Sequence, residues 1–108
     1  MDFDAYQNFA SLTRAYPEDM KIVYPCLGLS GEVGEVCEKI KKIYRDKNGI
    51  FSETDKEAIA REMGDVLWYL SALASDLGKN LNDIAFKNTQ KILERKEHGK
   101  INGNGDYR

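Results

Sequence analysis

The stretch from Gly28 to Glu38 reads Gly-Leu-Ser-Gly-Glu-Val-Gly-Glu-Val-Cys-Glu. It lies inside a run whose apolar residues, Cys26, Leu29, Val33, Val36, Ile40 and Ile43, recur at alternating steps of three and four. That spacing predicts a long amphipathic helix. Yet the run carries Gly28, Gly31 and Gly34. Each glycine inside a helix costs about 1 kcal/mol relative to alanine. Three in succession point to something that approaches this helix closely. The interleaved Glu32, Glu35 and Glu38 suggest that what approaches is cationic, or carries a cation.

A second helix has the same design. Ile59, Met63, Val66, Leu70, Leu73 and Leu77 form its stripe, and Glu62 and Asp65 flank it at i, i+3 with Gly64 between them. Each residue of an α-helix turns by about 100°. With Leu29 as zero, Glu32 falls near −60° and Glu35 near −120°, roughly, on the same rule. With Ile59 as zero, Glu62 and Asp65 fall at about the same two angles, and Tyr69 near −80°. If the two stripes pack antiparallel, four carboxylates meet on one flank. Gathered acids repel one another. Lys39 and Lys42 offset part of that charge, and a hard divalent cation held by carboxylate oxygens would resolve the rest. Mg²⁺, with Mn²⁺ as a substitute, is the expected ion. Most helix acids are only solvated, so an acidic face on a helical interaction module stays open as the alternative.

The remaining chain is read around these two helices. Phe3, Tyr6, Phe9, Ala10 and Leu12 predict a first helix over Asp2–Ala15, ended by Pro17. The second runs from about Pro25 to Arg45–Gly49. Thr54 with Glu57 forms a potential capping box for the third, which Gly78 stops. Asn80 with Asp83 opens a fourth, carrying Ile84, Ile92 and Leu93 to about Gly99. Strand alternation is absent. The expected fold is all-α, an antiparallel bundle of about four helices in a single domain, 1–108, with a polar tail over 100–108.

At 108 residues a single core is marginal, and oligomerisation would help it. The formal net charge of −2 argues against a nucleic-acid polymer as partner. No apolar run has membrane-spanning length, and no leader pattern is seen, so a cytoplasmic protein is expected. Cys26 and Cys37 lie about 16 Å apart along one helix axis. They are expected to be buried thiols of a reducing compartment, unable to bond to each other. A di-iron bundle wants two Glu-x-x-His motifs, and the one histidine, His98, belongs to none. An EF-hand loop and a phosphate-binding P-loop are also absent.

Taken together, G-L-S-G-E-V-G-E-V-C-E-K-I-K-K and E-M-G-D-V-L-W-Y-L-S-A-L-A resemble the MazG-like nucleoside triphosphate pyrophosphohydrolases of the all-α NTP pyrophosphatase superfamily. Gly31 stands where many members have a first glutamate, a variant similar to the dCTP-pyrophosphatase branch. Asn88, Lys91 and Arg95, in N-x-x-K-x-x-x-R, and the terminal G-N-G-D-Y-R are similar to small stand-alone relatives. The resemblance implies Mg²⁺-dependent hydrolysis of a (d)NTP to monophosphate and pyrophosphate, in nucleotide-pool control or sanitation. It implies that Glu32, Glu35, Glu62 and Asp65 hold the metal, with Glu35 as general base. Lys91, Lys42 and Arg95 would meet phosphate oxygens, and Tyr69 and Asn88 the sugar or base.

Trp68 falls near 180° from the stripe, roughly opposite it, amid Ser71, Ala72 and Ser75. Trp68 and Ala72 are therefore expected at a subunit interface of a homo-oligomer, dimer or tetramer, with a base pocket as the other role for Trp68. Glu38 also falls near 180°, approximately, and is expected to pair with Lys42 at the surface. The tail is left with two readings, disordered or folded over a neighbouring active site.

Overall fold

The computed structural model describes residues 1–99 and 101–106. Lys100, Tyr107 and Arg108, and with them part of the expected polar tail, lie outside the described residues. The chain forms four α-helices: α1 over Phe3–Leu12, α2 over Val23–Lys47, α3 over Glu53–Asp76 and α4 over Leu81–Glu97. A short 3-10 turn, Glu18–Met20, lies between α1 and α2. The described residues contain no strand.

The long pair α2 and α3 is a helical hairpin. Asn48 and Gly49 both take positive φ, 53° and 74°, and the Gly49 N–H donates to the Ile43 carbonyl at 3.2 Å. That left-handed ending closes α2 and turns the chain back. The capping box of α3 is built from Ser52 and Asp55, whose side chains each accept the other's backbone N–H. The Thr54–Glu57 box expected from sequence is thus displaced by two residues. Phe51, just ahead of the cap, meets Tyr44 edge to face at 6.0 Å and fixes where the chain enters α3. At the other end the expected Asn80 cap is present, its side chain accepting from the Asp83 N–H.

The pairing shows the hairpin's direction. Lys47 meets Asp55, Lys39 meets Glu62, and Glu32 meets Asp65, so α2 and α3 run antiparallel. Across the opposite face of α3 lies α1, also antiparallel, with Gln7 at Ser75 and Thr13 at Trp68. Gln7 stitches the α3–α4 turn. Its Nε2 donates to Ser75 Oγ at 3.0 Å and the Lys79 carbonyl at 2.9 Å, while its Oε1 accepts the Leu81 N–H at 2.9 Å.

Two expectations are corrected here. Ala72 is 2% exposed within the single chain, on the face of α3 that α1 covers. It is not a free surface for a second subunit. Trp68 is half-buried on the same face, its indole N–H donating to Thr13 Oγ1 at 2.8 Å. Cys26 and Cys37 are free and exposed rather than buried.

The core of one chain is thin. Each stripe is only partly covered: Leu29, Val36, Ile40 and Ile43 on α2 and Ile59, Val66 and Leu73 on α3 are buried or half-buried. Val33, Met63, Leu70 and Leu77 are exposed. The radius of gyration is 16.7 Å, against about 13 Å for a compact chain of this length. No helix among the described residues is long and apolar enough to cross a membrane.

Candidate metal centre and aromatic cleft

The antiparallel register of α2 and α3 brings carboxylates from both helices to one place. Ligand oxygens of Glu32, Glu62 and Asp65 all lie within 4.8 Å of one another. Glu35 is not part of this group. It sits one turn further along α2, exposed, with its charge felt at Glu32. Of the four acids singled out in the sequence, three converge and the fourth stands at the edge.

The electrostatics follow from that crowding. Burial pushes the Glu32 carboxyl above the usual carboxylate range, and the charges of Asp65, Glu62 and Glu35 push it further. Lys39 offsets part of this charge, with Nζ 3.8 Å from Glu62 Oε1. Three oxygen donors, excess negative charge and a carboxyl held off its normal ionisation suit a hard divalent cation such as Mg²⁺ or Mn²⁺.

Beside the acids opens a cleft of about 370 Å³, lined by Thr13, Glu32, Asp65, Trp68 and Tyr69. One end is acidic and the other aromatic. Trp68 and Tyr69 meet edge to face, with ring centroids 5.1 Å apart. Tyr69 faces Tyr24 at 6.5 Å, and Tyr24 stacks on Tyr16 at 4.9 Å. The Tyr69 phenol is pushed up by burial, then by Tyr24 and Glu32. Gly28 makes room for this ring, since a Cβ there would overlap the Tyr69 side chain. Gly31 and Gly34 face open space. Gly31 therefore leaves open space beside Glu32, while the space at Gly28 is filled by the chain's own tyrosine.

Other residues singled out in the sequence lie elsewhere in the single chain. Lys42 lies 3.8 Å from Glu38 and lines a separate groove with Lys39, Asp46, Lys47 and Asp55 near the hairpin turn. Glu38 also pairs with Lys41 at 2.9 Å, so it is the surface charge expected. Asn88 is exposed on α4. Lys91 and Arg95 both engage Asp106 of the tail, which folds back along α4. None of these residues lines the acidic cleft.

The structure adds residues that helical periodicity missed. Thr13, Tyr16 and Tyr24 belong to the connection between α1 and α2 or the first turn of α2, where no stripe marks a role. The available signal is the repeated Tyr-Pro, at Tyr16-Pro17 and Tyr24-Pro25, which places two rings at defined turns. Tyr6 on α1 is a further neighbour: burial raises its phenol first, and the Asp65 charge raises it further.

The model of the MazG nucleotide pyrophosphohydrolase domain matches residues 26–100. A curated relative, the Gene 37 protein of Mycobacterium phage L5, is 39% identical over 114 residues, covering 100% of this chain and 100% of that protein. Its name states no activity. No solved structure matches the chain.

Proposed function

The chain belongs to the MazG nucleotide pyrophosphohydrolase family, and on that premise we propose that it hydrolyses a (d)NTP to the monophosphate and pyrophosphate with Mg²⁺. The observation that carries this is the meeting of Glu32, Glu62 and Asp65 within 4.8 Å beside an aromatic cleft. Glu32, Glu62 and Asp65 would hold the metal. When bound, it would supply charge neutralisation for the triphosphate and activation of water.

The chain's own residues do the rest. Glu35, one turn from Glu32 and free of the three-acid group, is the carboxylate that orients the attacking water and takes its proton. Lys39 balances Glu62 and limits the repulsion the site must tolerate without substrate. Gly31 leaves the flank of α2 open where the phosphates lie. Tyr69 and Trp68 form the wall against which the sugar and base rest. Thr13 holds the indole by accepting its N–H.

A homo-oligomer belongs to the same proposal. Val33 (44% exposed), Met63 (57%), Leu70 (38%) and Leu77 (52%) continue the stripes that join α2 to α3 and are left about half open to solvent among the described residues. A second copy of the hairpin buries them and completes the thin core. Asn88, Lys91 and Arg95, which do not line their own cleft, serve the substrate as residues brought to it by a neighbouring copy. The two free thiols fit the reducing environment of a cytoplasmic enzyme. Control or sanitation of the nucleotide pool is the role this chemistry suits. Pyrophosphate release from a panel of nucleoside triphosphates, with and without Mg²⁺, tests the activity.

A further inference from the structure

Asp76 is the last residue of α3, and its carboxylate is completely buried, with side-chain exposure of 0%. That position is doubly unfavourable. Burial costs an anion its hydration, and the helix C-terminus already carries negative partial charge. Helix stability does not explain an acid here.

What Asp76 does is hold the connection between α1 and α2. One oxygen pairs with the Arg14 guanidinium. The other accepts from the Tyr16 hydroxyl at 2.8 Å and from the Ile22 backbone N–H at 3.0 Å. Ile22 is a strained residue, with φ 68° and ψ −55°. Its neighbours close a three-residue γ-turn, the Val23 N–H donating to the Lys21 carbonyl at 2.7 Å. A β-branched side chain at positive φ persists only where the surroundings over-determine it. Three partners converging on one buried carboxylate supply that over-determination.

Two of the three points that Asp76 grips lead to the aromatic end of the cleft. Arg14 follows Thr13, which lines the cleft and accepts from Trp68. Tyr16 stacks on Tyr24, which faces Tyr69. The family match begins at residue 26, so the gripped connection lies outside it and the gripping Asp76 within it.

We propose that Asp76 is a positioning residue that fixes Thr13 and the Tyr16–Tyr24–Tyr69 stack, and thereby sets which nucleobase the cleft accepts and how tightly. This rests on the nucleotide reading of the cleft. Asp76 touches no reacting atom, so its loss acts on substrate fit and not on the chemical step.

The test is steady-state pyrophosphate release over a panel of dNTPs by full-length wild type, Asp76→Asn and Tyr16→Phe. Asp76→Asn is expected to raise KM for the preferred nucleotide by about 10-fold to 100-fold, the size of one spoiled pocket contact. It should also narrow the spread of kcat/KM between bases and leave kcat within about threefold of wild type. Tyr16→Phe, which removes one of the bonds, moves the same quantities by less. Emission from Trp68, the single tryptophan, should shift in both variants. If either folded variant keeps the wild-type KM pattern and base preference, Asp76 is only a structural anchor and the proposal is overturned. Should Asp76→Asn fail to fold, Tyr16→Phe alone decides in the same two directions. A wild-type chain inactive on every nucleotide is a different result. It overturns the enzymatic reading, and this proposal with it.

Discussion

Gly28 of α2 and Tyr69 of α3 are fitted to each other: the tyrosine ring occupies the space that any side chain at position 28 would need. Through this contact the acidic and aromatic parts of the cleft share one wall. Glu32 stands one turn along from Gly28, and Asp65 one turn before Tyr69. Gly28→Ala should therefore destabilise the fold by about 1–3 kcal/mol, the usual cost of overpacking. In a Tyr69→Ala background the same substitution should become neutral or mildly stabilising. Urea denaturation of the four chains in a double-mutant cycle measures this. Equal penalties in both backgrounds would show that the two positions are not coupled.

Gly31 makes the opposite case, because nothing lies within 4 Å of a Cβ built there. Gly31→Ala should gain about 0.5–1 kcal/mol from helix propensity. It should also raise KM, because the methyl would intrude on the path proposed for the triphosphate. Denaturant midpoint and KM measured on the same sample check both halves. A stabilised variant with unchanged KM would remove Gly31 from the substrate's path.

Glu32 carries the cost of gathering the acids, its carboxyl held up by burial and then by Asp65, Glu62 and Glu35. Glu32→Gln removes one charge from the crowd. Without divalent metal its Tm should rise by a few degrees, since about 1 kcal/mol corresponds to roughly 4–8 °C in a domain of this size. The gain in Tm that Mg²⁺ confers on wild type should be lost, as binding to the folded state is what produces it. Differential scanning fluorimetry with and without Mg²⁺ reads both. A Mg²⁺ shift of wild-type size in Glu32→Gln would place the metal elsewhere.

Asp55 predicts the acid limit of the hairpin. Lys47 first, and then the Ser52 N–H, hold its carboxyl down to about 2, from 3.8. A depressed acid stabilises the fold above its unfolded pKa and loses that contribution as pH falls through the folded value. Asp55→Asn should thus melt below wild type at neutral pH, with the gap closing between about pH 4 and pH 2. Thermal melts across that range check the sign. A gap that stays constant down to pH 2, or widens, would contradict it.

Much of this arrangement was legible in the sequence because both long helices repeat their design. Steps of three and four located α2 and α3, and equal angular offsets brought Glu32, Glu62 and Asp65 to one flank. Asn80 announced its own cap. The α3 cap was harder, since Phe51-Ser-Glu-Thr-Asp-Lys-Glu57 contains two overlapping capping patterns, and the Ser52–Asp55 pair that forms is joined by tertiary contacts, Phe51 to Tyr44 and Asp55 to Lys47. Angles on one helix pair could not show that a third helix covers the far face. On those angles alone Trp68 and Ala72 face outward, whereas α1 lies over them. Cys26 misled in the opposite sense: it belongs to a stripe that one chain leaves partly uncovered. Nothing periodic marked Asp76, whose partners Arg14, Tyr16 and Ile22 lie far away in sequence and meet it only through folding.

The most direct test of the account is the release of pyrophosphate from a panel of nucleoside triphosphates by wild type and Glu62→Gln, each with Mg²⁺ and with chelator. Wild type with Mg²⁺ is expected to release pyrophosphate and nucleoside monophosphate from at least one nucleotide. Release should fall by at least about 100-fold with chelator or in Glu62→Gln, as expected when a metal-held charge partner is removed. Release that is absent for every nucleotide, or that survives both chelation and Glu62→Gln, would contradict the account.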